Sequence, residues 1–278
     1  MGGYLLYTGC LIPARLPFLE ASSRFVLDRM GVDYEPFPHG TCCVEPIGLR
    51  SLGYDTWLMV VARMLSIAEA KDKDVLSLCN GCFLSFKEAA HLLEDDATRA
   101  KVNEGLATIG RRYEGKVRVR HFMEVLEEWG AANMESMVTA PQAKLRLAMH
   151  PGCHVIRPSA VLKVDSHCSP RVLADIASRT GAEVVHNEPW PRCCGGGLAG
   201  VDDRISNAIL QEGVDSFKRA GANCILTPCP FCFVQFDIKQ KEGVPVLYLA
   251  ELMALAMGAS SESIGLRYHR TKIVPPTP

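Results

Sequence analysis

The sequence lacks an excess of either charge. Over 278 residues, 30 Lys and Arg stand against 31 Asp and Glu, a formal charge of −1, so there is no global electrostatic case for nucleic acid or a membrane surface as partner. It lacks a membrane-spanning run as well. The most apolar windows, Thr56 to Ala70 and Val244 to Gly258, are broken by Arg63, Glu69 and Glu251, short of the ~18 apolar residues a spanning helix needs. Met1 to Thr8 has no basic stretch ahead of an apolar one, and Leu6 stands where a myristoylation signal needs Ser or Thr. That segment reads as a buried strand. No segment is of low complexity, and 48% hydrophobic against 22% charged residues excludes a disordered or collagen-like chain. The length suffices for one large domain or two of about 140 residues.

Cysteine is what the sequence has in plenty. There are twelve, and without an export signal a reducing cytoplasm is expected, where they read as ligands or redox groups rather than disulfides. Ten fall into two similar sets of five. The first is Cys10, then 31 residues, Cys42-Cys43, then 35 residues, then Cys79-x-x-Cys82. The second is Cys153, then 39 residues, Cys193-Cys194, then 34 residues, then Cys229-x-x-Cys232. Cys168 and Cys224 have no counterparts.

The repeat extends beyond cysteine. The run from Tyr4 to Gly9-Cys10 parallels that from Leu147 to Gly152-Cys153, and Gly31 precedes the first Cys pair much as Gly181 precedes the second. Asp74 to Cys79 parallels Ala222 to Cys229, and Val117 to Glu124 parallels Val244 to Glu251. Short apolar runs alternate with segments of helical period, such as Tyr54 to Lys71 and Ile205 to Ala220, which predicts parallel α/β units. The expected fold is α/β, with two pseudo-symmetric halves, residues 1–140 and 141–278, each a small mostly parallel sheet flanked by helices. The division falls near Ala131 to Ala143, a charged helical insertion is expected around His91 to Glu114, and the tail from Gly258 to Pro278 is expected to be loosely ordered or to reach a partner. In a parallel sheet, ligands gather beyond the carboxyl ends of the strands. Each half's five cysteines follow such strands, so they are expected to meet in one site.

Five thiols are more than one zinc ion or one ordinary cubane takes, since each takes four. Adjacent cysteines also suit zinc poorly, because their Cα atoms are only about 3.8 Å apart. A multi-iron cluster eases that strain, as neighbouring thiolates can reach different irons. The doubled pattern resembles the cysteine-rich, or CCG-domain, family, and its whole-chain arrangement is similar to the heterodisulfide reductase B-subunit family. The resemblance implies two noncubane [4Fe-4S] clusters, one held by Cys10, Cys42, Cys43, Cys79 and Cys82 and the other by Cys153, Cys193, Cys194, Cys229 and Cys232, facing each other between the halves. It implies reduction of the coenzyme M–coenzyme B disulfide, or a similar one, with electrons arriving through two partner chains of a complex, one ferredoxin-like and one flavin-containing. Reducing a disulfide takes two electrons and each cluster handles one, which accounts for the duplication. One departure is plain: the second pair is followed by Gly195, the first by Val44.

Other readings stay open on the residues alone. A related CCG protein could serve a sulfur-oxidising complex or a quinone- or fumarate-linked dehydrogenase, although that second type often carries an upstream ferredoxin domain that does not precede Cys10. A noncatalytic electron relay and a zinc-binding structural module are the other classes. Gly195-Gly-Gly197-Leu-Ala-Gly200 satisfies a dinucleotide fingerprint formally, but its place after a Cys pair favours close backbone approach to cluster sulfur. Cys229-Pro-Phe-Cys232 alone would suit a redox dithiol; among four matching cysteines it reads as ligation. Cys224 reads as a buried apolar residue. For protonation of leaving thiolates, His154 is the first candidate, followed by His150, His39 and Arg192. Arg15, Arg157 and Lys163 could bind anionic groups but read first as solvated surface.

Overall fold

The computed structural model describes residues 3–186, 193–240 and 243–273. Its first sheet contains β1 (Tyr4–Tyr7), β2 (Tyr34–Pro36), β3 (Asp74–Ser77) and β4 (Val119–His121), in the order β2-β1-β3-β4. The second contains β5 (Arg146–Met149), β6 (Glu183–Val185), β7 (Cys224–Thr227) and β8 (Val246–Tyr248), in the matching order β6-β5-β7-β8. Every described pairing is parallel, with Tyr7 beside Ser77 and Met149 beside Leu226 at the strand ends.

The strands are apolar because both faces are covered, as parallel sheets require. Leu5, Leu6, Val75 and Leu76 in the first sheet, and Leu147, Ala148, Ile225 and Leu226 in the second, are buried. The chain reverses its winding between β1 and β3, and again between β5 and β7. Such a switch point opens a crevice beyond the carboxyl ends of the two strands. Cys10 and Cys79 leave the first crevice; Cys153 and Cys229 leave the second.

Both sheets end alike. The last residue of β4, His121, opens the helix Phe122–Met137, and its own N–H donates to Glu124 at 2.6 Å. Tyr248 at the end of β8 opens the helix Leu249–Ala256 and donates to Glu251 at 2.8 Å. The parallel between Glu124 and Glu251 is therefore a capping requirement, a carboxylate three residues into a helix taking up an orphan N–H.

The two halves are pinned together by buried contacts, and one hydrophobic core runs through both. The helix Pro17–Arg29 packs on Leu249–Ala256, and Phe18 meets Phe233 with ring centres 5.8 Å apart. Asn80 donates to the Pro151 carbonyl at 2.7 Å, and the Tyr248 hydroxyl donates to the Leu78 carbonyl.

The helix Phe122–Met137 runs into the segment where the halves were expected to divide, with Gly130 and Met134 on its buried face. One expectation is corrected: the tail is tied down through residue 273. His269 is buried against Glu251 at 2.8 Å, and the backbone N–H groups of Arg270 and Thr271 both donate to Asp237 at 2.9 Å. Buried carboxylates of Glu251 and Asp237 need those partners, and the tail supplies them. Residues 274–278 lie outside the described residues. The insertion in the first half is the helix Asp96–Ala107, capped by Asp95, which accepts the Thr98 N–H at 2.8 Å.

Candidate metal centre

The Gly-Cys pairs close each strand end sharply. Gly9 and Gly152 both take positive φ, +70° and +77°, a region that disfavours any side chain. A Cβ on Gly9 would lie 2.9 Å from Cys82 Sγ, and one on Gly152 would lie 2.7 Å from Asn80 Nδ2. The backbone thus passes close beneath the other cysteines of the same set or across the seam.

Cys79 and Cys229 stand at the N-caps of the helices Asn80–Leu92 and Pro230–Val234. Each donates its N–H to a hydroxyl two residues earlier, Ser77 at 3.3 Å and Thr227 at 3.4 Å. These hydroxyls, alike in both halves, hold the turn from which the two buried thiols meet between the halves. The second Cys pair receives N–H donors from the glycines after it: Gly195 to Cys193 Sγ at 3.3 Å and Gly196 to Cys194 Sγ at 3.4 Å. In the first pair, Val44 N–H plays this part toward Cys42. Amides aimed at sulfur favour the thiolate that binds metal.

The ten thiols form one string of hydrogen-bonding neighbours. In the first half it runs Cys10, Cys42, Cys43, Cys82, Cys79. In the second it runs Cys153, Cys193, Cys194, Cys232, Cys229, the same order. Cys79 and Cys229 join the two across the seam. All ten line a single cavity of about 320 Å³ between the halves.

Such crowding divides the protons unequally. The Cys43 thiol holds Cys42 down to about 7, while its hydrogen bond with Cys42 pushes Cys43 up to about 12. Hydrogen bonds from Cys229 and Cys82 hold Cys79 well below the usual thiol range, and those from Cys153 and Cys194 do the same for Cys193. Each set therefore offers ready thiolates, with Cys43 and Cys82 in the first and Cys194, Cys229 and Cys232 in the second buried beside them as protonated partners.

His154 lines the cavity with Glu45 from the opposite half. Burial lowers its pKa, and the neighbouring Cys229 and Cys193 work against that. His150 does not line the cavity but lies buried behind it, held neutral by burial with a pKa of about 4. His39, Arg15, Arg157 and Lys163 are exposed and are not among its lining residues. Arg192 lies outside the described residues. Cys168 is exposed and Cys224 is buried within β7; neither joins the string.

The glycines of the dinucleotide-like run serve the thiols. Gly196 and Gly197 line the cavity, and a Cβ on Gly197 would lie 2.9 Å from Ile47 of the other half. Sequence reasoning missed Asn80, Glu45 and Ile47. Asn80 is fully buried at the seam, and its place inside Cys79-Asn-Gly-Cys82, against Pro-Phe in the second copy, was the available signal.

The donor set fits iron–sulfur chemistry. Two groups of five thiols, each with hydrogen-bonded sulfurs and amide donors, surround open space lined mainly by apolar residues. Such surroundings are those that hold and tune clusters.

A family model for the cysteine-rich domain matches residues 4–87 and 147–237, both halves. The chain belongs to the cysteine-rich domain family. It is 33% identical over 275 residues to the B subunit of the ferredoxin:CoB-CoM heterodisulfide reductase of Methanosarcina mazei, covering 94% of this chain and 91% of that relative. It is also 27% identical over 282 residues to the 8-methylmenaquinol:fumarate reductase membrane anchor subunit of Wolinella succinogenes, covering 96% of each. Among solved structures, a hypothetical protein from Helicobacter pylori shares the fold at a TM-score of 0.76 and 17% identity, over 98% of this chain and 52% of that one. The paired cysteine-rich domains are thus the architecture itself. Among the described residues no helix is long and apolar enough to cross a membrane.

Proposed function

We propose that this chain is the disulfide-reducing iron–sulfur component of an oxidoreductase complex, acting on the coenzyme M–coenzyme B heterodisulfide or a similar disulfide. The observation that carries this reading is the convergence of all ten repeat cysteines on one cavity of about 320 Å³. Relatives named as the B subunits of heterodisulfide reductases support it at 33% identity.

Cys10, Cys42, Cys43, Cys79 and Cys82 would hold one [4Fe-4S] cluster and Cys153, Cys193, Cys194, Cys229 and Cys232 the other, both of the noncubane kind. Bound there, they supply the two electrons that cleavage of a disulfide consumes. The chain does the rest. Cys79 and Cys229 set the two sites side by side, so one S–S bond can lie between them. His154 stands at the cavity wall to give a proton to a departing thiolate. Ile47, Leu198 and Phe231 line the mouth and limit water. A ferredoxin-like partner and a flavin-containing partner of the same complex would deliver electrons, in the cytoplasm.

A second reading is a component of a quinol-linked fumarate reductase, favoured by the relative from Wolinella succinogenes, which aligns over 96% of its length. The exposed apolar side chains of Leu52 and Val201, 86% and 84% accessible, suit an apolar neighbour.

The test is iron, acid-labile sulfide and zinc on anaerobically purified protein, then turnover of disulfides with a reduced dye. About eight irons, a paramagnetic signal that depends on added thiol, and disulfide turnover would support the first reading. Iron with no thiol response and no turnover would leave an electron relay, as the second reading requires. Zinc without iron would remove both.

A further inference from the structure

The two cysteine sets match, but the residues three positions before Cys10 and Cys153 differ: Tyr7 in the first half and His150 in the second. Tyr7 closes β1 and His150 directly follows β5, and both face thiols. The Tyr7 hydroxyl donates to the Thr41 carbonyl, so its proton is committed to backbone. His150 is different. It is 4% exposed, and its Nε2 has no hydrogen-bond partner among the described residues. A ring nitrogen of His150 and the Sγ atoms of Cys194 and Cys232 lie within 4.8 Å of one another.

The ring is held in place. Its backbone N–H donates to Leu226 at 2.8 Å, and its face meets Phe236 edge-on at 4.7 Å and 73°. A buried, unpartnered ring nitrogen forfeits the hydrogen bond it had in water, and native structures rarely leave one without a partner that the occupied site supplies.

We propose that His150 is a positioning and tuning residue of the second cluster site, its imidazole N–H donating to the Sγ of Cys194 or Cys232, while the first site has no equivalent donor among the described residues. This rests on the cluster assignment above. A hydrogen bond to cluster sulfur stabilises the more negative, reduced state and raises the potential. The second site is therefore the easier of the two to reduce, and the two electrons for one disulfide come from unequal sites.

The test is a redox titration of the cluster-loaded protein, followed by EPR and visible absorption, on wild type, His150→Phe and His150→Gln. The expected result is that His150→Phe keeps its iron and sulfide and one midpoint potential moves negative while the other stays. His150→Gln, which retains an N–H, recovers much of that shift. Unchanged potentials in His150→Phe would overturn the proposal, and so would an equal shift of both. Loss of half the iron from both variants would overturn it too, because the ring would then be holding the site together by coordination or packing. Should His150→Phe fail to fold, wild type labelled with 15N-histidine decides. A weak histidine nitrogen coupling to a paramagnetic cluster, absent in His150→Gln, supports the proposal; no such coupling in wild type sinks it. A wild type without about eight irons would instead count against the cluster assignment, and would show before any variant is made.

Discussion

Val44 and Gly195 stand one residue after the two Cys pairs and share a left-handed backbone, with φ of +52° and +81°. The missing motif glycine thus leaves the geometry intact: Val44 still presents its N–H to Cys42 as Gly195 does to Cys193. The sites differ in what surrounds that turn. A Cβ on Gly195 would lie 2.5 Å from the Ser206 carbonyl oxygen, whereas the Val44 side chain packs half-buried against the core. Left-handed backbone costs a residue with a Cβ about 1–2 kcal/mol, and Val44 offsets part of that by burial. Val44→Gly is therefore expected to lie within about 1 kcal/mol of wild type, strain relief balancing lost packing and added chain entropy. Gly195→Val adds overpacking to the backbone strain and should cost about 3 kcal/mol or more, with loss of iron from one site. Urea unfolding and iron analysis of both variants check this; equal effects at the two positions would refute it.

The string of thiols separates ligands from bystanders. Cys79→Ser removes a member in contact with both sets and should lose iron and all disulfide turnover. Cys168→Ser, at an exposed position, should leave both unchanged. Cys224→Ala opens a small void in β7, where the thiol is 1% exposed, and should cost about 1 kcal/mol of stability without loss of iron. Iron counts on the three variants settle the matter, and a drop for Cys168→Ser would extend the site beyond the cavity.

His121 gives a pH dependence with a definite sign. Its ring is fully buried, accepts the Met123 N–H at 3.1 Å, and is pushed down to about 3 by burial. The unfolded chain binds a proton there near pH 6.5 and the folded chain does not, so this stability is complete above about 6.5 and is lost as pH falls toward 3. Between pH 7 and pH 5 the loss amounts to about 2 kcal/mol. His121→Asn keeps a cap acceptor but does not titrate. Urea unfolding at the two pH values should show wild type losing about 2 kcal/mol more than the variant; parallel losses would mean His121 titrates elsewhere.

Much of this arrangement was legible in the chain, for reasons that particular residues make clear. The short apolar runs at Tyr4, Asp74, Leu147 and Cys224 could only be covered strands, and parallel strands send the residues after them to one edge. Cys10 and Cys79 had to meet. The way the halves face each other could not be read. The contact of Cys79 with Cys229 depends on Phe18 against Phe233 and on Asn80 reaching the Pro151 carbonyl, pairings that no periodicity encodes. His150 looked like one more polar residue near a ligand, because the sequence carries no sign that its ring turns inward. The tail misled for the opposite reason: a polar, Pro-ended segment gave no hint that two buried acids elsewhere needed it.

Those acids set the last expectation. Glu251 and His269 are both fully buried in their side chains and meet at 2.8 Å, with the His269 ring 5.3 Å from Phe18 and 5.0 Å from Phe233. The residue therefore bolts the tail of the second half against the first half through Phe18. Burial raises the Glu251 carboxyl, and the histidine draws it back down. His269→Ala leaves that carboxyl without its partner and opens a gap between two aromatic rings, at a cost of about 3–5 kcal/mol. Glu251→Gln keeps a hydrogen-bonding group of the same shape and should cost less than half as much. The decisive measurement is urea unfolding of the two variants alongside a chain ended at residue 258. If His269 anchors the tail, His269→Ala and the shortened chain fall together, well below Glu251→Gln. A shortened chain as stable as wild type would mean the seam is held without the tail, by the helix Pro17–Arg29 on Leu249–Ala256, Phe18 against Phe233 and the Asn80 and Tyr248 hydrogen bonds.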